Sequence, residues 1–127
     1  MRIARALPDE GLCVVRNVSE AAVALRQEAF RLAIFGLYFD DSRMFELIPV
    51  ARAAALNRAT PILCVQGIRG RLSPAALRGL EQTVKAMGCD WLDITAIDDD
   101  AAGRESLRQS LLRRLPAGQP LPAAGFP

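Results

Sequence analysis

The sequence predicts an α/β domain: a parallel sheet of short strands with helices on both faces. Three observations carry this. Short apolar runs alternate with stretches of helical spacing in the order strand, helix, repeated four times along the chain. The longest apolar run, Leu32 to Phe39, has no polar alternation, the mark of a strand covered on both sides. The breaks between runs fall at Gly, Pro, Ser and Asp, residues that stop one element and start the next.

Taken in order, Leu12 to Val15 is the first apolar run, and Ser19 and Glu20 open an alanine-rich helix to Glu28, with Ser19 as its cap. Leu32 to Phe39 follows as the central strand. Asp40, Asp41 and Ser42 end it and can cap a helix carrying Met44, Leu47, Ile48 and Ala51. Pro49 lacks a backbone donor, so that helix either kinks or effectively starts there. Thr60-Pro61 introduces a buried strand, Ile62 to Val65, ending at Gln66-Gly67. Ser73-Pro74 is a helix start with proline in the first turn, Leu77, Leu80, Val84 and Met87 recur at helical spacing, and Gly88 closes the helix. Cys89 to Ile94 is a further strand. After Asp98-Asp99-Asp100 a last helix carries Leu107, Leu111, Leu112 and Leu115, with Arg113-Arg114 at its basic end.

The expected division is one domain over 1–115 and a disordered tail over 116–127, where Pro116, Pro120, Pro122 and Pro127 crowd a short polar-to-small stretch. At 127 residues the chain can bury a single core without disulfides or a structural metal. An aromatic share of 6% within 51% apolar residues makes that core aliphatic.

Charge and residue inventory close several functional classes. A formal net charge of +2, from 16 basic and 14 acidic residues, is too small and too evenly spread to announce nucleic acid or an anionic membrane. Only Arg104 to Arg114 is locally basic. No histidine occurs, which removes Ser-His-Asp triads, Cys-His dyads and the usual zinc ligands. The odd set Cys13, Cys64 and Cys89 lacks CxxC spacing and reads as free thiols in a reducing, cytoplasmic compartment. The first residues carry no apolar signal-peptide core, and no apolar run is long enough to span a bilayer.

Between Gly11 and Leu115 the order and spacing of three segments carry a family resemblance. Thr60-Pro61-Ile62-Leu63-Cys64-Val65-Gln66-Gly67 looks like a fourth strand with its leading proline, and Gly88-Cys89-Asp90-Trp91-Leu92 looks like a turn and fifth strand. Leu32 to Leu37 then falls on the third. So spaced, the chain resembles the receiver domain of two-component response regulators. The resemblance implies a flavodoxin-like sheet of order 2-1-3-4-5.

Carried over residue by residue, the receiver chemistry is missing. Gly36 stands at the phosphoacceptor aspartate, Gln66 at the Ser/Thr that contacts the phosphate, and Ile94 at the lysine. Phosphoryl transfer works by positioning and by neutralising charge, and both the acceptor and the cation are absent. Receivers also open with a strand ending in an acidic pair and a full helix, for which only about ten residues precede Leu12. Either Arg2 to Leu7 is that strand with Asp9-Glu10 as a vestige of the pair, or Met1 to Pro8 is the end of the first helix. The gap in the sheet is then filled by the N-terminal segment or by a second chain, because unmade buried backbone bonds cost about 1–3 kcal/mol each.

Candidate positions for a ligand or partner are Asp40, Asp41, Gln66, Arg69 and Arg71, all at the carboxyl edge of the sheet. For the two aspartates, helix capping is the competing reading; for the two arginines, a solvated loop. Trp91, Leu92, Arg104, Leu107 and Leu111 correspond to the face that the resemblance implies for dimerisation. The expected function is that of a non-catalytic pseudo-receiver in bacterial signal transduction or transcriptional control. It acts by binding a protein partner or itself, with no cofactor, no metal, no direct nucleic-acid contact and no membrane. Two other readings are a small α/β enzyme or nucleotide-binding protein using the same edge, and a truncated fragment of a larger regulator.

Overall fold

The computed structural model describes residues 2–7, 12–115 and 123–126, and for Leu12, Asp41 and 123–126 the backbone alone. It is a mixed α/β structure on a sheet of five parallel strands. The chain runs α1 (Arg2–Ala6), β1 (Leu12–Val14), α2 (Val18–Gln27), β2 (Leu32–Gly36), α3 (Phe39–Ser42) and α4 (Met44–Ala53). It continues with β3 (Ile62–Gln66), α5 (Pro74–Ala86), β4 (Asp90–Asp93), α6 (Ala101–Leu112) and β5 (Ala123–Phe126). In space the strands lie in the order β1-β5-β2-β3-β4.

All five residues of β2 and of β3 are buried, as their unbroken apolar runs require of strands covered on both faces. Alternation along a strand divides them between two cores. Ala33, Phe35, Ile62 and Cys64 join a cluster with Leu25 of α2, Leu47 of α4 and Val84 of α5. Leu32, Ile34, Leu63 and Val65 join a second, with Ile3 and Leu7 at the N-terminal end and Leu107 and Leu111 of α6. Helices therefore cover both faces, α2, α4 and α5 on one and α1 with α6 on the other.

The N-terminal segment is helical from Arg2 to Ala6 and lies on α6, so it is not a strand of the sheet. Asp9 and Glu10 lie outside the described residues. The strand slot between β1 and β2 is filled by β5, paired in parallel with both neighbours through Leu12↔Ala123 and Leu32↔Ala123. This corrects two expectations: neither the N-terminal segment nor a second chain fills the gap, and 123–126 of the supposed disordered tail is a strand. Each side of the slot offers a row of backbone donors and acceptors, and those bonds decide the outcome over a composition that reads as linker. The rest of that tail, 116–122 and Pro127, lies outside the described residues.

Several boundaries have local causes. α2 is capped by Asn17, not Ser19: Asn17 Oδ1 accepts from Glu20 N at 2.8 Å, while the Glu20 carboxylate accepts from Arg16 N at 2.8 Å. α4 begins at Met44 and carries Pro49 inside it on an exposed face, which removes the bond that would run to the Phe45 carbonyl. α5 starts as its sequence dictates, with Ser73 Oγ accepting from Ala76 N at 3.1 Å. Gly88, at φ 78, takes the left-handed conformation that ends it. No helix of the described residues is long and apolar enough to cross a membrane.

Candidate functional site

The carboxyl ends of β2, β3 and β4 meet at one edge of the sheet, where open α/β structures leave room for ligands. Register fixes what arrives there: Gly36 lies beside Val65, and Gln66 beside Asp93. Gly36 is the last residue of β2 and is buried. Gln66, only 1% exposed, turns its amide onto its own loop, with Nε2 donating to the Ile68 carbonyl at 2.7 Å. Ile94 enters a 3-10 turn after β4 and packs into the core shared with α1 and α6. The three positions thus converge, and they bring no carboxylate, hydroxyl or ammonium group with them.

Above this edge opens a cleft of about 420 Å³. Its apolar walls are Ile3, Leu37, Val65, Ile68 and Ile94, and its polar groups belong to Arg2, Tyr38 and Arg71. Among the described residues none of its lining is acidic.

The two guanidinium groups have different employment. Arg2 donates to the Ile94 carbonyl at 2.8 Å, to Ile97 at 2.7 Å and to Asp98 at 3.2 Å, pinning α1 to the turn after β4. Arg71 instead lies over the Tyr38 ring, 4.4 Å from its centroid. The Tyr38 hydroxyl is buried and has no hydrogen-bond partner among the described residues.

Of the residues singled out from sequence, Gln66, Ile94 and Arg71 gather at this edge and Asp40 does not join them. Asp40, at φ 47, directs its carboxylate back to α2, accepting from Val18 N at 3.0 Å and from Arg43 at 3.3 Å. It caps a helix, though not the one that follows it. The side chain of Asp41 lies outside those described. Arg69 is tied by its Nε to the Thr95 carbonyl at 3.1 Å, which fastens the basic loop across to the turn after β4. Of the acidic run, Asp100 caps α6 by accepting from Gly103 N at 2.7 Å and Asp99 pairs with Arg5 at 3.3 Å. Among the described residues no group of His, Cys, Asp and Glu could hold a metal ion.

The face expected to mediate dimerisation is divided. Leu107 and Leu111 are 1% and 0% exposed, buried against Ile3, Ala6 and Leu7, so they are not part of any surface this chain offers. That is a correction with a simple cause: α1 covers the apolar stripe of α6. Trp91 and Leu92 are half-buried, on opposite faces of β4, and Arg104 is exposed on α6.

Sequence reasoning missed Arg2, Ile3, Leu37, Tyr38 and Ile68 as cleft residues. One signal was present: Tyr38 is the chain's single tyrosine and directly follows the most apolar strand, at the edge where ligands sit.

Burial pushes the Cys64 thiol up to about 12, with the adjacent Cys89 adding to the shift, so this pair offers no thiolate near neutral pH. Burial also raises Cys89, against the opposing effect of Arg52.

Compared with family models, with curated proteins and with solved structures, the chain matches none of them.

Proposed function

We propose that the chain is a pseudo-receiver: a flavodoxin-like module that does no phosphoryl chemistry and acts by binding another protein, a second copy of itself included. The observation that carries this reading is the convergence of Gly36, Gln66 and Ile94 at the ends of three adjacent parallel strands. These are the positions where a receiver would keep its acceptor aspartate, its hydroxyl and its lysine. The spatial arrangement supports it too. With β5 in the slot of a receiver's first strand, β1-β5-β2-β3-β4 reproduces the order 2-1-3-4-5, and α1 beside α6 matches the pairing of the first and last helices.

In this reading the site's chemistry has been replaced by packing. Gln66 closes its own loop and Ile94 fills the place of a cation, so the edge is fixed in one state without a phosphoryl group to set it. Output then depends on which surface is presented, and Trp91, Leu92 and Arg104 are the accessible remnants of the face receivers use for association. The setting is bacterial signal transduction or transcriptional control.

The test is incubation with acetyl phosphate and Mg²⁺ followed by intact mass measurement. The reading expects an unchanged mass, and a stoichiometric phosphoryl adduct overturns it. Light scattering across a dilution series tests self-association, with Trp91→Ala expected to shift any dimer toward monomer.

A further inference from the structure

We infer that the cleft at the carboxyl edge is a binding site for a small amphipathic carboxylate: an anionic head at Arg71, an apolar body along Ile3, Val65 and Ile94. The inference goes beyond the receiver reading and stands on the cleft alone, so it survives if the chain proves to be no receiver.

Two observations combine. The cleft, about 420 Å³, has the volume of small-ligand sites and walls that are mostly apolar. Arg71 has no hydrogen bond or ion pair to a described residue, and its guanidinium carbon lies over the Tyr38 ring, 4.4 Å from the centroid. Its N–H donors are not spent on a described acceptor and stay available to a planar carboxylate.

Sign and shape follow from the same groups. Among the described residues the lining contains arginines and no acid, so the head is an anion. Arg2 spends both terminal nitrogens on three backbone carbonyls and its Nε lies 3.8 Å from the Asp99 carboxylate, which leaves Arg71 as the cation for the head. One free guanidinium matches a single carboxylate better than a polyphosphate, whose charge would call for several donors and a Gly-rich loop. The apolar floor requires a hydrocarbon body, which distinguishes this ligand from inorganic phosphate.

The experiment is an amide NMR titration of the full chain with octanoate, with octanamide and inorganic phosphate as paired probes. The proposal expects saturable shifts at Tyr38, Ile68 and Arg71 with octanoate. It expects binding at least about tenfold weaker for octanamide and for phosphate, the scale of one charge-assisted interaction or of a lost apolar body. Arg71→Ala, on an exposed loop, should weaken octanoate about tenfold and octanamide by less. Equal affinity for octanoate and octanamide overturns the anionic head, equal affinity for octanoate and phosphate overturns the apolar body, and the absence of saturable shifts overturns the site. The probe comparison uses the unaltered chain and decides the matter even if a variant fails to fold.

Discussion

The hydroxyl of Thr60 lies 2.9 Å from Oδ1 of Asn57, and both side chains are buried. Asn57, fully buried, also receives the Phe30 N–H at 2.9 Å, and its amide donates to the Leu25 and Glu28 carbonyls at 2.7 and 2.6 Å. One side chain thus joins the end of α2, the approach to β2 and the segment leading to β3. Asn57→Ala strips three backbone groups of their partners, two of them buried. It should lower the unfolding free energy by about 3 kcal/mol, with little change in denaturant slope. Urea titration of the two proteins checks this, and a loss under about 1 kcal/mol would mean that water replaces the amide.

Two helical glycines should respond in opposite directions to alanine. At Gly103 an added Cβ would fall 1.6 Å from the Asp98 carbonyl oxygen, a collision with backbone beside the Asp100 cap. Gly79 lies exposed inside α5 with nothing within 4 Å of its Cβ position. Gly103→Ala should destabilise by more than about 2 kcal/mol, and Gly79→Ala should stabilise by about 0.5–1 kcal/mol, the helix propensity difference. Thermal unfolding of both variants reads the two signs.

A third prediction concerns pH. The Cys64 thiol is shifted from its ordinary 9.0 to about 12 by burial, with Cys89 adding to it. Because the folded state holds the proton more tightly than the unfolded chain, this group's stabilising contribution is complete below pH 9.0. It falls away as the pH climbs from there toward 12. Unfolding free energies measured on the alkaline side should decline more steeply for the natural chain than for Cys64→Val, whose core volume is similar. Parallel curves would show that the thiol does not set the slope.

The strand β5 gives the fourth. Ala124 pairs with Cys13 on one side and Ala33 on the other. Proline there removes a ladder donor in an interior strand and should destabilise by about 3 kcal/mol or more. Circular dichroism with denaturant titration of Ala124→Pro checks it. A silent substitution would mean that β5 contributes nothing to the stability of the sheet.

How much of this was legible depends on what kind of signal each feature carries. β2 and β3 were readable because strands buried on both faces are unbroken apolar runs, and α5 because Ser73, Pro74 and Gly88 mark its ends chemically. β5 was not: Ala123, Ala124 and Gly125 have neither alternation nor strand propensity, and their pairing comes from the open slot between two distant strands. Leu107 and Leu111 show the limit of periodicity. Their spacing reports an apolar stripe but not its cover, and the five residues of α1 are too few to announce a helix. At the site, Gly36, Gln66 and Ile94 were singled out through the receiver resemblance, and the sequence expected a strand to Phe39 where β2 ends at Gly36. The Tyr38–Arg71 contact joins residues on two separate loops and had no counterpart in spacing.

The interior placement of β5 also bears on how the chain reaches its native state. β1 touches the rest of the sheet only through β5, and Leu12 meets Ala123 across nearly the whole chain. Closing so large a loop is entropically costly, and topologies dominated by such distant pairings fold slowly. The unit from β2 to β4 can assemble from neighbouring segments, while β1 must wait for β5 to arrive. During that interval two strand edges stand open, and the yield of folded protein rests on how quickly four residues, three of them small, find them.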